Sequence, residues 1–228
     1  MMNSAESDKT DALPACLEVR GISCERSERL LFTDLSFSLS LGKALLIEGS
    51  NGSGKTSLLR LLCGLGRPET GQILWRGRSI WNEREEYLRH MAYFGHLPAI
   101  KYELSALENI QLFQQLSGAR SMSTPHQSLS KLGLEGFEDI PCQYLSAGQR
   151  RRVALARLYV THYSLWILDE PLTALDVQGV RLVESMLEAH LGAGGAAIIT
   201  THQPVNLPGD RVQYLTLSKK HALQSRPL

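Results

Sequence analysis

Short, mostly apolar runs alternate with segments of helical periodicity along most of this chain. The runs at residues 44–47, 164–168 and 196–201 predict strands that are buried on both faces, as in a parallel sheet. Leucines spaced along one helix face predict a helix over residues 56–65, and the amphipathic segment 180–191 predicts another. Strands that alternate with helices in this order indicate an α/β core.

Two regions depart from this alternation. The first 75 residues are richer in predicted strands, and a helical insert lies between about residues 97 and 158. The insert carries apolar residues at helical spacing and few β-branched residues, with a loop predicted at 118–125 and a last helix within 145–159. The N-terminal strands are predicted at 16–22, 35–39 and 71–75.

Composition and charge exclude several classes of protein. Hydrophobic residues make up 43% of the 228-residue chain, and 24 Lys+Arg against 23 Asp+Glu leave a formal net charge of +1. That balance gives no sign of a nucleic-acid partner. The uncharged stretch at residues 191–209 contains two prolines and four glycines and predicts no membrane span. Four cysteines without C-x-x-C spacing predict buried thiols and, with an N-terminus that lacks an apolar signal core, favour the cytoplasm.

A phosphate-binding loop follows the strand predicted at 44–47. Residues 49–56 match the pattern G-x-x-x-x-G-K-[ST], with a buried strand before it and a leucine-rich helix after it. Glycines let the backbone turn tightly and aim N–H groups inward, and the helix adds its positive N-terminal end. Lys55 would reach the β- and γ-phosphates, and Thr56 would offer its hydroxyl to Mg²⁺. The loop consists of Gly49, Ser50, Asn51, Gly52, Ser53, Gly54, Lys55 and Thr56.

Two acids end the strand predicted at 164–168. In open α/β sheets, ligands bind at the carboxyl ends of the strands. We therefore expect Asp169 to help hold Mg²⁺, and Glu170 to orient or deprotonate the attacking water. A carboxylate pair at this point could instead cap the next element, but the phosphate loop in the same chain favours the catalytic interpretation.

The segment Leu145-Ser146-Ala147-Gly148-Gln149 lies between the phosphate loop and the two acids. Here the sequence resembles the ATP-binding cassette (ABC) superfamily, whose signature is L-S-G-G-Q, with Ala147 in place of the first glycine. The resemblance implies that Ser146, Gly148 and Gln149 contact ATP held by a second copy, so that two copies form an ATP-sandwich homodimer. Ser146 would also suit a helix N-cap.

Two further segments match motifs of this superfamily. Residues 173–176 follow the two acids as the family's D-loop does, which implies that Asp176 lies at the dimer interface. His202 follows a buried strand as the family's switch histidine does. The resemblance implies that His202 bonds the γ-phosphate and keeps Glu170 and the attacking water in place.

Three parts of the sequence leave alternatives open. Family members carry a glutamine that touches Mg²⁺ and senses the membrane partner; here His96 takes its place, and its imidazole could also reach a metal or a water. No aromatic residue for base stacking is evident before the phosphate loop. Arg26 either stacks on adenine through its guanidinium plane or is solvated. The arginines at 150–152 form either a solvated start of a helix or part of the chemistry.

Beyond these motifs, residues 17–204 resemble the ATP-binding export subunits of bacterial cytochrome c biogenesis, a family of haem-exporter components. The Gly-His at 95–96 is itself typical of that family. The resemblance implies a peripheral subunit on the cytoplasmic face of the inner membrane, with integral-membrane partners. Its ATP hydrolysis would drive haem export or release of a haem-loaded chaperone; an ABC ATPase for a different cargo is the alternative. The segments that carry the resemblance are 24–26, 49–56, 95–96, 100–101, 104–109, 133–141, 145–158, 166–171 and 200–204.

The resemblance also implies the fold and its division. We expect an α/β P-loop NTPase: an ABC nucleotide-binding domain with a RecA-like core, an N-terminal antiparallel β subdomain and an inserted helical subdomain. The domain would span residues 16–218, with the helical subdomain at about 97–158 and flexible tails at 1–15 and 219–228. ATP and Mg²⁺ are the implied cofactors.

Three other classes of P-loop protein fit the chain less well. DNA-repair ABC ATPases carry a long coiled coil between their two halves, and the segment between Lys55 and Leu145 is too short for one. ABC translation factors carry two cassettes, and this sequence has one. P-loop kinases lack the signature. The sequence therefore predicts the ATPase subunit of a membrane complex.

Overall fold

The computed structural model describes residues 15–26, 28–117 and 123–217. The tails predicted at 1–15 and 219–228 lie outside these residues, except that Ala15 begins the first strand. Two short 3₁₀ turns accompany the strands and α-helices. In chain order the elements are β1 (Ala15–Arg26), β2 (Arg29–Ser40), β3 (Ala44–Glu48), α1 (Lys55–Leu62), β4 (Thr70–Trp75), β5 (Arg78–Ser79), α2 (Arg84–His90), β6 (Met91–Phe94), α3 (Ala106–Ser117), α4 (Pro125–Ser130), α5 (Ala147–Val160), β7 (Leu165–Asp169), α6 (Val177–Gly192), β8 (Ala196–Thr200) and β9 (Val212–Thr216).

The strands form two sheets. The first is antiparallel, with the order β2-β1-β4-β5, and the second is parallel, with the order β6-β7-β8-β3-β9. Leu17 and Ile73 of the first sheet pack with Ile47 and Ile167 of the second in one cluster that also takes in Leu58 of α1. A second cluster fills the opposite face of the parallel sheet, beneath α5 and α6. The predicted α/β core and β-rich start are thus confirmed.

The central parallel strands are the short apolar runs that the pattern predicts. All five residues of β7 and of β8 are buried, as are four of the five in β3. Strands covered on both faces need apolar residues at every position rather than at alternate ones. In the register, Thr200 pairs with Asp169 on one side and with Ile47 on the other. The carboxyl ends of β7, β8 and β3 therefore meet at one edge of the sheet.

Several element boundaries differ from the predicted ones. The helix predicted over 56–65 ends at Leu62, because Gly64 adopts a φ of +65° that breaks the helical turn. The first two strands run several residues beyond their predicted ends, since they pair along their whole length through bulges. The loop predicted at 118–125 is wrong at its end, where Pro125 begins α4; residues 118–122 lie outside the described chain.

Four elements were not predicted: β5, α2, β6 and β9. Strand β5 is only two residues long. Strand β6 follows α2 directly, and no glycine or proline between them marks the boundary. The edge strand β9 is half-exposed, with Tyr214 pointing largely to solvent, so it lacks the apolar run of a central strand. No helix in the described ranges is long and apolar enough to cross a bilayer.

The helices between β6 and β7 pack on one another. Helices α3, α4 and α5 are in mutual contact, and Ile110, Leu129 and Leu155 are fully buried between them. The buried Asn109 ties the start of α3 to the segment before it: its amide accepts from the Lys101 N–H at 2.7 Å and donates to that residue's carbonyl at 2.8 Å. A buried amide with all its bonds made fixes this entry into α3.

Gly71 lets β4 approach β1 closely. Its φ is +79°, and a Cβ there would lie 2.3 Å from the carbonyl oxygen of Arg20 and 2.4 Å from that of Gly21. Gly77 has nearly the same φ, +78°, but a Cβ there would meet nothing within 4 Å. Substitutions at the two glycines can therefore distinguish the cost of backbone strain alone from the cost of strain with steric overlap.

We expect Gly71→Ala to lower the free energy of unfolding by roughly 3 kcal/mol or more, because backbone overlap adds to the strain of a positive φ. Gly77→Ala is the matched control and should cost only the conformational strain, about 1–2 kcal/mol. Urea denaturation followed by circular dichroism measures both losses. Equal losses in the two variants would contradict the close approach of β4 to β1.

Candidate active site

The phosphate loop joins β3 to α1 in a conformation that its glycines permit. Gly54 forms the N-cap of α1 with a φ of +102°. Gly49 has a φ of +152°, and a Cβ there would lie 2.5 Å from the Ser53 hydroxyl oxygen and 2.6 Å from the Leu217 carbonyl oxygen. A side chain at Gly49 would therefore fill the loop, whereas a Cβ at Gly54 would lie 3.2 Å from the Cβ of Leu31. The Ser53 hydroxyl is buried and has no hydrogen-bond partner among the described residues.

Lys55 turns its ammonium group into the loop. The side chain is only 7% exposed, and Nζ donates to the carbonyl oxygen of Gly49 at 2.7 Å. Nζ also lies 3.4 Å from Nε2 of His202, which comes from the segment after β8. A buried cation beside the N-terminus of α1 makes the loop an anion-binding site.

Asp169 lies at the end of β7, opposite the phosphate loop. Its carboxylate is buried and accepts from the Thr200 hydroxyl at 2.7 Å and from the Thr56 hydroxyl at 3.4 Å. The predicted pair Thr56 and Asp169 is thus brought together, with oxygen atoms only. Such a donor set suits a hard cation. No cluster of three or more His, Cys, Asp or Glu side chains fit for a metal occurs in the part of the chain that the structure describes.

Glu170 has a left-handed backbone with a φ of +50°. Its N–H donates to the Thr200 side-chain oxygen at 3.0 Å, which helps to hold this strained conformation. The carboxylate is one-quarter exposed and lies 3.3 Å from Nε2 of His202, while the Thr173 hydroxyl donates to its other oxygen at 3.4 Å. A partly exposed carboxylate that faces an imidazole and solvent can orient a water or take a proton from it.

A cleft of about 360 Å³ opens beside the loop. Asn51, Gly52, Gly54, Lys55, Thr56 and Glu170 line one side of it. Arg26, Arg29 and Leu31, from the hairpin between β1 and β2, line the other side. Arg26 thus borders the cleft, with Arg29 as a second cation that the sequence analysis did not single out.

The signature lies on a different part of the surface. Ser146 is the N-cap of α5 and forms a capping box with Gln149: the serine hydroxyl accepts from the Gln149 N–H at 3.1 Å, and the glutamine side chain accepts from the Ser146 N–H at 2.8 Å. The N-cap role suggested for Ser146 is confirmed. None of the described residues that line the cleft belongs to the signature.

The segment after Glu170 packs against the signature. A Cβ at Gly148 would lie 2.9 Å from the carbonyl oxygen of Ala174, which itself has a φ of +65°. Asp176 is exposed and caps α6, accepting from the Gly179 N–H at 2.7 Å. The exposed Val177 adjoins it. Signature and D-loop segment therefore form one exposed surface of this chain.

The three arginines at the start of α5 differ in their surroundings. Arg150 donates to the Leu145 carbonyl at 2.6 Å, and Arg152 donates to the carbonyl of Leu132 at 3.0 Å. Arg151 is only 4% exposed and lies beneath the two acids. The imidazole of His96 is exposed to solvent, while its carbonyl accepts from Arg151 at 2.6 Å.

Thr200 is a residue of the site that the sequence does not reveal: its hydroxyl donates to the Asp169 carboxylate and accepts from the Glu170 N–H. Nothing in its local pattern marks it out from the other residues of the buried strand. The expectation of buried thiols holds for Cys16, Cys63 and Cys142, and Cys24 is half-buried. Burial raises the pKa of the Cys63 thiol to about 12, with the charge of Asp169 contributing, so this thiol stays protonated.

Comparison with known proteins agrees with the motifs. The family model for ABC transporters matches residues 32–173. The cytochrome c biogenesis ATP-binding export protein CcmA of Escherichia coli O157:H7 is 47% identical over 207 residues, which cover 91% of this chain and 99% of that protein. The protein of the same name from Shigella flexneri is 47% identical over 206 residues, 90% of this chain and 98% of that one.

Solved structures agree on the fold. An ABC transporter ATP-binding protein from Pyrococcus furiosus gives a TM-score of 0.74 at 21% identity, covering 88% of this chain and 96% of that one. The structure of an ATP-binding cassette in a dimeric post-hydrolysis state, bound to ADP and phosphate, gives a TM-score of 0.69 at 21% identity. The match covers 82% of this chain and 88% of that one. The predicted fold class is confirmed. The chain is therefore an ATPase that belongs to the ABC transporter ATP-binding family and, within it, to the cytochrome c biogenesis ATP-binding export proteins.

Proposed function

We propose that this chain is the ATP-hydrolysing subunit of a bacterial ABC complex for cytochrome c biogenesis, and that it couples hydrolysis to haem export or to release of a haem-loaded chaperone. The observation that carries the proposal is the 47% identity to a cytochrome c biogenesis protein along 99% of that protein's length. It works as a peripheral subunit on the cytoplasmic face of the inner membrane, with integral-membrane subunits and a second copy of itself as partners. Residues 16–218 form its ATP-binding domain, with a helical subdomain at about 97–158.

The phosphate loop binds the ATP phosphates. The backbone of residues 49–56 and the N-terminus of α1 surround them, and Lys55, already buried in the loop, neutralises charge on the β- and γ-phosphates. Thr56 and Asp169 would hold Mg²⁺, for which their oxygen atoms are suited. When bound, the cation offsets negative charge on the phosphates.

Glu170 positions the attacking water and accepts its proton. The geometry that supports this role is the partly exposed carboxylate, 3.3 Å from His202 and next to the phosphate loop. His202, with Nε2 also 3.4 Å from the Lys55 ammonium, faces the place of the terminal phosphate and keeps Glu170 oriented. Hydrolysis thus takes place where the carboxyl ends of β3, β7 and β8 meet.

The signature acts on the ATP of a second copy. Ser146, Gly148 and Gln149 lie at the exposed N-terminus of α5, outside this chain's own cleft, so only a partner can bring a phosphate to them. Asp176, on the same surface, contacts the partner. Two copies then enclose two ATP molecules, and hydrolysis opens the dimer and moves the membrane subunits.

Glu170→Gln should lower the steady-state rate of ATP hydrolysis by roughly 100-fold or more, because general-base catalysis contributes that much. ATP binding should persist, since Lys55 and the loop are unchanged. Glu188→Gln, at an exposed position on α6, is the control and should keep the wild-type rate. A phosphate-release assay measures the rate of ATP hydrolysis by the wild type and the two variants. A Glu170→Gln protein with wild-type turnover would show that the base lies elsewhere.

ATP should drive dimerisation of the Glu170→Gln protein, and Ser146→Ala added to it should raise the ATP concentration needed by roughly tenfold, as one hydrogen bond to a charged group is lost. Thr124→Ala is the matched control, because Thr124 and Gln127 form the same capping box on α4 and both variants lose about 1 kcal/mol of helix capping. Size-exclusion chromatography with light scattering reports the dimer. If both variants dimerise alike, Ser146 has no role beyond its helix.

In the bacterium that carries this protein, replacement of the wild type by Glu170→Gln should lower covalently bound haem in c-type cytochromes, while the apocytochromes are still made. Haem staining of membrane fractions, with immunoblots of the apoproteins, measures this loss. The Glu188→Gln protein should restore normal haem attachment. Normal haem attachment in a strain whose ATPase is inactive would instead favour an ABC complex with a different cargo.

A further inference from the structure

The side chain of Arg151 is a buried cation that the proposed reaction does not use. It is 4% exposed, and no carboxylate lies within ion-pair distance of it among the described residues. Burial lowers the pKa of the guanidinium, against the charges of Asp169 and Glu170, which raise it. A guanidinium keeps its charge in proteins, so bonds to neutral groups must offset its burial.

Those bonds all go to backbone carbonyls, three of them in the segment from Asp169 to Pro171. Arg151 donates to the carbonyl oxygens of Asp169 at 3.2 Å, Glu170, and Pro171 at 3.4 Å. A further N–H donates to the His96 carbonyl at 2.6 Å, and the guanidinium lies 4.4 Å from the centre of the Phe94 ring. One planar group therefore joins α5 to the segments that follow β6 and β7.

The Glu170 backbone is held from both sides. Its N–H donates to the Thr200 hydroxyl at 3.0 Å, and its carbonyl accepts from Arg151. Between these two bonds the residue keeps a φ of +50°, which a side chain other than glycine adopts only under constraint. Relaxation of that φ would rotate the carboxylate away from His202, its neighbour at 3.3 Å.

We propose that Arg151 is a positioning residue for hydrolysis, which holds the backbone of Glu170 in the left-handed conformation that directs its carboxylate toward His202. The inference rests on the proposed function, in which Glu170 receives the proton from water. Arg151 lies five positions after Ser146 in the same chain, so the helix that begins at the signature also holds the backbone of Glu170.

The test uses the full chain, purified together with the membrane subunits that copurify with it. Arg151→Gln removes the charge, and we expect kcat for ATP hydrolysis to fall about tenfold or more, because small displacements of a catalytic group cost this much. The Kd for a fluorescent ATP analogue should stay within about threefold of wild type, since Arg151 does not line the cleft. Arg151→Lys keeps the charge and should recover part of the lost kcat.

Arg152→Gln is the matched control. Arg152 follows Arg151 in the same helix and also donates to two backbone carbonyls, those of Leu132 and Gly133, remote from the acids. This variant should keep kcat within about twofold of wild type. If Arg151→Gln does not fold, Arg151→Lys against Arg152→Lys makes the same comparison.

Three results would overturn the proposal: an unchanged kcat in Arg151→Gln, an equal loss in Arg152→Gln, or a loss of nucleotide affinity as large as the loss of kcat. Glu170→Gln in the same assay separates this inference from the proposed function. Wild-type turnover by Glu170→Gln would remove the basis of both. An inactive Glu170→Gln beside a normal Arg151→Gln would remove only the role of Arg151.

Discussion

The site depends on the parallel register of β7, β8 and β3. Thr200 pairs with Asp169 in one neighbouring strand and with Ile47 in the other, so the residues that follow all three strands emerge at one edge. Side chains alternate across a strand, and a slip of β8 by one residue would turn the Thr200 hydroxyl away from Asp169. Continuous apolar runs let the three strands be buried on both faces, and the hydrogen bond between the polar ends of β7 and β8, Asp169 and Thr200, favours this register over a slipped one.

Charges at this edge are stabilised mostly by neutral dipoles. The buried Asp169 accepts from two threonine hydroxyls, and the buried Lys55 donates to the Gly49 carbonyl. Buried charges without such partners would neutralise or destabilise the fold. Fixed dipoles also let the groups keep their positions as charge develops during a reaction, which is how a preorganised site lowers a barrier. The folded chain therefore holds Asp169 and Lys55 in place by its own hydrogen bonds.

The sequence predicts those parts of the site that depend on local spacing. A phosphate loop and the acids after an apolar run lie within a few residues of the strands that position them, so local spacing is enough to place Lys55 and Asp169. It is not enough for Thr200, because the bond from Thr200 to Asp169 joins residues 31 apart and depends on how two strands pair. The strand β9 escapes prediction for a related reason, since an edge strand with exposed side chains has no continuous apolar run. Glycine conformation explains the early end of α1, which a count of leucines does not show.

The same local motif can have different roles, depending on where the fold places it. Thr124 and Ser146 both begin helices with the same capping box, and the bonds alone do not distinguish them. Of the two helices, only α5 continues from its capped end to a buried arginine that donates to the carbonyl of Glu170. The exposed N-terminus of α5 is thereby joined by about a turn and a half of helix to the backbone of Glu170. Because a tightly packed helix moves as a unit, a displacement of the exposed end of α5 would also displace the hydrogen bonds by which Arg151 holds the backbone of Glu170.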